Sequence, residues 1–255
     1  MSFICPEEYD LFDVNKIIIE SPKQLQSEFG QKFARLQIRY KYPNGTIGPL
    51  VVQTPILFTY GITFGSVILK KETATPQLSL VTFNPESGPT AEESAFIALC
   101  NSVLEKIKQH MLLDSTKDDL GKWNYDSDVQ AMKIFYVKME KGRPVKGYPP
   151  TLYSKLYYKI ENNETIITSK ISCAVTGNSL PTHPLLGRGK IYTTVIFSNI
   201  YVGNKPSIQT RIGEIMVVER HDRPCHLKPM VTPAVSLREN EPPVFKIKSL
   251  MKTHK

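Results

Sequence analysis

Hydrophobic and polar residues alternate strictly over residues 35–42. The polar positions are Arg35, Gln37, Arg39 and Lys41, and the apolar positions between them are Leu36, Ile38, Tyr40 and Tyr42. A period of two with one apolar side predicts a half-buried strand. Asn44 and Gly45 follow, and because this dipeptide tolerates the positive φ of tight turns, a hairpin to a second strand at 49–54 is predicted. Residues 62–69 and 77–83 are predicted to form two more strands.

A different spacing predicts one main helix after residue 90. Thr90 and Glu93 have the spacing of a capping box. Apolar residues then recur at helical spacing, at Phe96, Leu99, Cys100, Val103, Leu104, Ile107 and Met111. Because Cys100 lies on this apolar side, we expect it to be a core residue rather than a nucleophile.

Beyond residue 132 the pattern of strands returns. Segments rich in β-branched and aromatic residues occur at 132–139, 151–160, 165–175, 190–202 and 208–218. Many strands with one main helix indicate a β-rich α+β fold, either a barrel or a sandwich with helical elaboration. We expect an N-terminal extension at 1–30, one β-rich domain at 31–219, and an irregular, proline-containing C-terminal arm at 220–255.

The composition excludes several classes of protein. The chain of 255 residues is 41% hydrophobic and 22% charged, which is typical of a globular protein with a sizeable core. It lacks an uninterrupted apolar run of about 18 residues, so no membrane span is predicted. The first residues lack the pattern of a signal peptide, and the four cysteines lie far apart. We therefore expect an intracellular protein with reduced thiols.

The positive charge is concentrated in two segments. The formal net charge is +8, of which residues 132–159 carry +6 and residues 220–255 carry +5, so that the rest of the chain carries −3. A basic balance favours an anionic partner.

Signals of catalysis are weak. The chain lacks a Walker phosphate loop, a Rossmann glycine fingerprint and a nucleophile elbow. The best candidate for a metal site is formed by His221, Cys225 and His226, but a fourth zinc ligand and a paired Cys-x-x-Cys are missing. We therefore expect neither an enzyme nor a bound cofactor or metal.

The basic segment 132–159 also holds six aromatic residues. In a strand over 151–160, one face receives Leu152, Ser154, Leu156, Tyr158 and Ile160, and the other receives Tyr153, Lys155, Tyr157 and Lys159. Alternating rings and cations match the stackable bases and repeating phosphates of a single-stranded nucleic acid. The alternative is that a helix packs on the tyrosines and the lysines merely flank them. The polar face at 35–41 joins this surface if both strands lie in one sheet.

Double-stranded nucleic acid is less favoured, because no predicted helix has a basic face that fits a groove. The candidate contact residues are Arg35, Arg39, Lys41, Lys133, Lys138, Arg143, Lys146, Tyr148, Tyr153, Lys155, Tyr157 and Lys159.

Three motifs point to a family. They are the segment 49–55, with sequence PLVVQTP; the segment 147–151, with sequence GYPPT; and the segment 200–205, with sequence IYVGNK, which runs into Gln209 and Arg211. In this order they resemble the single-stranded DNA-binding proteins of nucleocytoplasmic large DNA viruses, the group that includes African swine fever virus and the algal giant viruses. The resemblance covers roughly residues 35–218. It implies an OB-fold-like β-barrel core, binding of single-stranded DNA without strong sequence preference, and a role in viral replication or repair in the host cytoplasm or nucleus.

Two alternatives stay open at this point. The basic arm at 220–255 is of the kind that contacts neighbouring subunits, which favours self-association, contacts with replication proteins, or a structural role in a virion. RNA in place of DNA is equally compatible with the residues.

Overall fold

Strands are the most abundant regular secondary structure of the described chain, which in this computed structural model comprises residues 2–28, 30–64, 75–122, 125–162, 164–182, 185 and 187–221. The strands before the helices are β1 (Ile17–Ile19), β2 (Lys23–Gln26), β3 (Lys32–Lys41), β4 (Ile47–Gln53), β5 (Leu57–Thr59), β6 (Ile62–Phe64) and β7 (Pro76–Val81). The helices are α1 (Ala91–Met111), α2 (Asp114–Leu120) and α3 (Asp126–Gln130), and two short 3-10 helices, Pro6–Leu11 and Val14–Lys16, precede β1. The later strands are β8 (Met139–Glu140), β9 (Arg143–Pro144), β10 (Thr151–Lys155), β11 (Tyr158–Glu161), β12 (Glu164–Ile167), β13 (Ile171–Cys173), β14 (Arg188–Val202) and β15 (Pro206–His221).

Five of these strands close into a barrel. Around the ring the order is β5, β7, β10, β15 and β14, and β14 returns to β5. Within the ring only β10 and β15 run parallel to each other. If the five barrel strands are numbered 1 to 5 in chain order, their order around the ring is 1-2-3-5-4, which is the strand order of an OB fold. The predicted β-rich, OB-fold-like barrel with one main helix is confirmed.

The long strand β14 connects the barrel to the rest of the sheet. One edge pairs with β15 along almost its whole length, and the other edge pairs in turn with β5, β4 and β3. Strand β3 also pairs with β1, β2 and β4. The polar face of β3 therefore lies in the same sheet as β10, separated from it by β14 and β15.

The alternating pattern of β3 is realised as predicted. Its apolar residues Leu36, Ile38 and Tyr40 are buried, and Tyr42 at the start of the turn is buried too. Gly45 adopts a φ of 81°, which is the left-handed backbone that the predicted hairpin to β4 requires.

Helix α1 begins as predicted and packs on the core. Thr90 accepts a hydrogen bond from the Glu93 amide, and the Glu93 carboxylate accepts one from the Thr90 amide, which completes the capping box. All the predicted apolar positions of the helix are buried, including Cys100, and burial raises the pKa of the Cys100 thiol well above its usual range. Among the described residues no helix is both long and apolar enough to cross a membrane.

The barrel closes through a narrow contact between β10 and β15. The parallel pairing is a single register pair, Lys155 with Arg211. Directly beneath it, the buried hydroxyl groups of Ser154 and Thr210 form a hydrogen bond of 2.7 Å. Because a buried hydroxyl without a partner is costly, this bond stabilises the closure where the backbone ladder is short.

Three predicted strands differ from the structure or are described only in part. The strand at 151–160 stops at Lys155, since the Leu156 amide bonds the Pro76 carbonyl and the chain then turns into a separate β11–β12 hairpin. Ile160, predicted to be buried, is 50% exposed. The strand at 132–139 is also wrong, because this segment makes only a bridge at Tyr136 and the first residue of β8. The strand at 62–69 is described only as far as Phe64, and the rest of it lies outside the described residues, as does the C-terminal arm from residue 222 onward.

We expect the Ser154–Thr210 hydrogen bond to show energetic coupling. Ser154→Ala leaves the Thr210 hydroxyl buried without a partner and lowers the free energy of unfolding by roughly 1–3 kcal/mol. Thr210→Val has a similar effect, whereas the double variant costs clearly less than the sum of the two, because neither buried group is then unpaired. Urea denaturation of the four proteins measures the cycle, and strict additivity would show that the two hydroxyls do not support the closure.

Candidate nucleic-acid interface

The outer face of β10 carries the side chains that the alternating pattern predicted. Leu152 and Ser154 are buried inside the barrel, Tyr153 is 41% exposed, and Lys155 is half-buried on the outside. Tyr157 lies just after the end of the strand and is also exposed. Its backbone amide donates a hydrogen bond of 2.9 Å to the Ser169 hydroxyl. The second and third strands of an OB barrel form its usual oligonucleotide-binding face, and here these are β7 and β10.

Three tyrosines cluster on this face, and we call Tyr60, Tyr136 and Tyr153 the aromatic zone. The rings of Tyr136 and Tyr153 meet edge to face at 5.9 Å, and Tyr136 is placed by paired backbone hydrogen bonds to Thr151. The backbone amide of Tyr60 donates a hydrogen bond of 3.1 Å to the Ser79 hydroxyl, which fixes the position of Tyr60. Each of the three residues remains between 41% and 57% exposed, although the Arg188 guanidinium lies over the Tyr60 ring, 5.8 Å from its centre.

Tyr153 stays neutral in this setting. Burial raises the pKa of its phenol, and the neighbouring hydroxyls of Tyr136 and Tyr60 raise that pKa further. Tyr153 therefore carries no negative charge at neutral pH that would repel phosphate groups. An open cavity of about 440 Å³ beside it is lined by Lys133, Ile134, Phe135, Tyr136, Val137 and Tyr153.

Next to the aromatic zone lies a group of three cations, Arg35, Lys155 and Arg211, which we call the cationic zone. Lys155 and Arg211 are register partners across the parallel β10–β15 pair. Arg35 projects from β3, where its partner on β14 is Tyr201 and the partner of Tyr201 on β15 is Ser207. Three strands thus place one cation each on a continuous outer surface.

The cations of this zone influence one another. Partial burial lowers the pKa of Lys155, and the charges of Arg211 and Arg35 lower it further. The Lys155 ammonium donates a hydrogen bond of 2.5 Å to the side-chain oxygen of Gln209, and the Arg211 guanidinium lies over the ring of Tyr157, 5.3 Å from its centre. The zone is therefore held in place by an amide and a ring, both uncharged.

A second basic-aromatic surface is formed by the β8–β9 hairpin and the turn after it. The Lys138 ammonium lies 3.8 Å from the centre of the Tyr148 ring, a cation–π contact. Arg143 and Lys146 are exposed on the same hairpin and turn. Since Lys138 follows Tyr136 by two residues, this hairpin borders the aromatic zone.

The structure brings together some of the predicted contact residues and separates others. Those on or beside the two zones and the hairpin are Arg35, Lys133, Lys138, Arg143, Lys146, Tyr148, Tyr153, Lys155 and Tyr157. Arg39 instead pairs with Glu20 at 2.5 Å, and Lys41 lies at the far end of β3 beside Ile47 of β4. Lys159 does not continue the row of β10, because it lies in the separate hairpin and pairs with Glu161 at 2.6 Å.

Sequence reasoning missed four residues of this surface: Tyr60, Tyr136, Gln209 and Arg211. Gln209 and Arg211 alternate with buried Thr210 and Ile212, so their outward direction was readable from the period-two pattern. Their position beside Lys155 was not, because it depends on the parallel pairing of strands more than 50 residues apart.

Within the part of the chain that the structure describes, no group of three or more His, Cys, Asp or Glu side chains is placed to hold a metal ion. Two members of the weak zinc candidate, Cys225 and His226, lie outside the described residues.

Three comparisons relate this chain to other proteins. A family model described as a protein of unknown function (DUF2738) matches residues 11–246. The "Early 31 kDa protein" of Frog virus 3 is 26% identical over 208 residues, which are 82% of this chain and 78% of the viral protein. Among solved structures, gp2.5, a single-stranded DNA-binding protein encoded by bacteriophage T7, aligns with a TM-score of 0.44 at 14% identity, over 69% of this chain and 90% of the phage protein.

We expect Lys155→Met to raise stability at neutral pH. Because the pKa of Lys155 is lower in the folded protein than in the unfolded chain, keeping this side chain charged costs folding free energy. The cost is fully present below the folded pKa and disappears as the pH rises from there towards the ordinary pKa of lysine. The gain in the variant should therefore be larger at about pH 7 than at about pH 10 in urea denaturation.

Lys146→Met is the matched control for this prediction. It removes an equal charge from an exposed position on the turn after β9, so it should not produce the same gain. A Lys155→Met protein that is less stable than the wild type at neutral pH would contradict the expected cost of this charge.

Proposed function

We propose that this chain, which belongs to the DUF2738 family of proteins of unknown function, is a single-stranded DNA-binding protein of a large DNA virus. The observation that carries the proposal is the joined surface of the aromatic and cationic zones on the outside of an OB-type barrel. Exposed rings and unpaired cations lie side by side there, at Tyr153 and Lys155 on β10 and at Tyr157 and Arg211 beside them.

Each part of this surface has a counterpart in a single strand. Unpaired bases stack on exposed aromatic rings, and each stacked base contributes roughly 1–3 kcal/mol. Phosphate groups bind lysine and arginine side chains and release their counterions. Neither contact depends on which base is present, so we expect binding that is largely independent of sequence.

Duplex DNA fits the same surface less well. Its bases are stacked on each other and are not open to the rings of Tyr136 and Tyr153. The basic surface is formed by strands and a short hairpin, and in the described chain the long helix α1 is packed with its apolar side on the core rather than presented as a basic rod. A preference for single strands follows from this geometry.

The viral role is supported by the relative in Frog virus 3, which is named as an early protein. A protein that covers exposed single strands is needed while a genome is copied or repaired, and we propose that this chain acts at that stage, at the sites of viral replication within the host cell. Contacts of residues 220–255 with other proteins stay a prediction from the sequence.

Binding to labelled oligonucleotides tests the proposal directly. In fluorescence anisotropy, the full chain should bind a single-stranded DNA of mixed sequence tightly and the matching duplex at least tenfold more weakly. The affinity should fall as salt rises, because each neutralised phosphate of a single strand contributes a slope of about −0.7 in log K against log salt. No binding to any single strand at low salt would refute the function, and a stronger affinity for RNA of the same sequence would reassign the partner.

Replacing one ring and one cation should separate the two kinds of contact. Tyr153→Ala removes a stacking face and should weaken binding by roughly 1–3 kcal/mol, which is about 5- to 150-fold in Kd, with the salt slope retained. Lys155→Gln should instead reduce the slope by about 0.7, the value for one phosphate contact.

The half-buried Tyr192 on β14 serves as the control for the ring. Tyr192→Ala should leave the affinity unchanged, and thermal melting should show that all three variants are folded. If Tyr153→Ala and Tyr192→Ala bind as the wild type does, the aromatic zone is not a stacking surface.

A further inference from the structure

In the described part of the chain, the three cations of the cationic zone have no acidic salt-bridge partner, in contrast to several other cations in or beside the sheet. Elsewhere, Arg39 pairs with Glu20, Lys170 with Glu214 and Lys190 with Glu219. Among the described residues no carboxylate forms a salt bridge with Arg35, Lys155 or Arg211. These three positive charges, on β3, β10 and β15, are thus left without a carboxylate partner among the described residues.

The zone is nevertheless ordered by contacts that carry no charge. Gln209 accepts the hydrogen bond of Lys155 through its side-chain oxygen and donates through its side-chain nitrogen to the Ser207 hydroxyl at 3.1 Å. This pair of bonds fixes which end of the amide faces Lys155. Arg211 is placed by β15 and by the ring of Tyr157. A carboxylate at position 209 would also hold Lys155, but its negative charge would neutralise one of the three positive charges.

Like charges held together in this way raise the free energy of the empty protein and attract an anion. A tetrahedral phosphate group offers several acceptor oxygens, and two guanidinium groups and an ammonium group are the side chains that bind it best. Each cation comes from a different strand, and Lys155 and Arg211 are direct register partners.

We propose that Arg35, Lys155 and Arg211 form a preformed site for one phosphate group, with Gln209 as the residue that positions Lys155. This inference rests on the proposed function in so far as the phosphate belongs to a bound DNA strand. The site then fixes one phosphate at the junction of the two zones, so that a neighbouring base lies beside Tyr153 or Tyr157. A free or terminal phosphate has the same chemistry and should bind at the same place.

Inorganic phosphate is the probe for the site in the full chain. At constant ionic strength, replacing potassium chloride with potassium phosphate should raise the melting temperature of the wild type by a few degrees, since a ligand that binds only the folded state stabilises it by mass action. Arg211→Gln and Arg35→Gln should abolish this rise and weaken single-stranded DNA binding about tenfold.

Lys170→Gln is the control, because it removes one charge just before β13, at a lysine that has an acidic partner. It should keep the rise in melting temperature caused by phosphate. Gln209→Glu provides a second, isosteric test, because it should remove most of that rise without removing any of the three cations.

A final pair of oligonucleotides identifies the source of the phosphate. A strand with a 5′-phosphate that binds more tightly than the same strand with a 5′-hydroxyl indicates a terminal phosphate, and equal affinities indicate an internal phosphodiester. If single-stranded DNA binds but phosphate and chloride act alike and Arg211→Gln binds DNA normally, the site is refuted and the proposed function stands. If phosphate acts as expected but no strand binds, the site stands and the proposed function is refuted.

Discussion

The parallel contact between β10 and β15 is the constraint on which the rest of this molecule depends. It closes the five-stranded barrel through one register pair, and the buried Ser154–Thr210 hydrogen bond holds the two strands together from inside. Since side chains alternate along a strand, the residues that follow these two hydroxyls must point outward. Those residues are Lys155 and Arg211. The closure of the barrel therefore also places two of the three cations of the cationic zone side by side.

The surface built on this closure is more costly than a solvated basic face. Partial burial and two neighbouring guanidinium groups lower the pKa of Lys155, and Gln209 offers it a dipole rather than a negative charge. Beside it, the rings of Tyr136 and Tyr153 keep large exposed areas although they contact each other. Unneutralised cations and exposed rings are unfavourable for an isolated protein and favourable for one that binds a polyanion with stackable bases, which is why they are informative about function.

Local pattern was sufficient wherever one side of an element faced the core. The alternation in β3 and β10, the capping box of α1 and the buried position of Cys100 were all predictable, because burial imposes a period of two on strands and of 3.6 on helices. The local pattern did not predict the structure of residues 156–160, where the alternation continues but strand β10 has already ended at Lys155. There the chain turns away to bond Pro76 and Ser169, contacts with distant residues that the local pattern does not encode. Lys159 was predicted to lie on the binding face because the alternation continues through it. Arg39 was predicted to be a contact residue because the local pattern does not reveal its ion pair with Glu20, which lies on another segment.

The sequence by itself determined that this is a β-rich protein with one main helix, that its positive charge is concentrated around a tyrosine-rich strand, and that this strand presents alternating rings and cations. Only the tertiary structure decided which charges are left without acidic partners and which stand together. Arg35, Lys155 and Arg211 belong to strands that are distant in the chain and become neighbours through β14 and β15. Charge acts through space over a few ångströms, and the pairing of distant strands, rather than the order of residues, sets those distances.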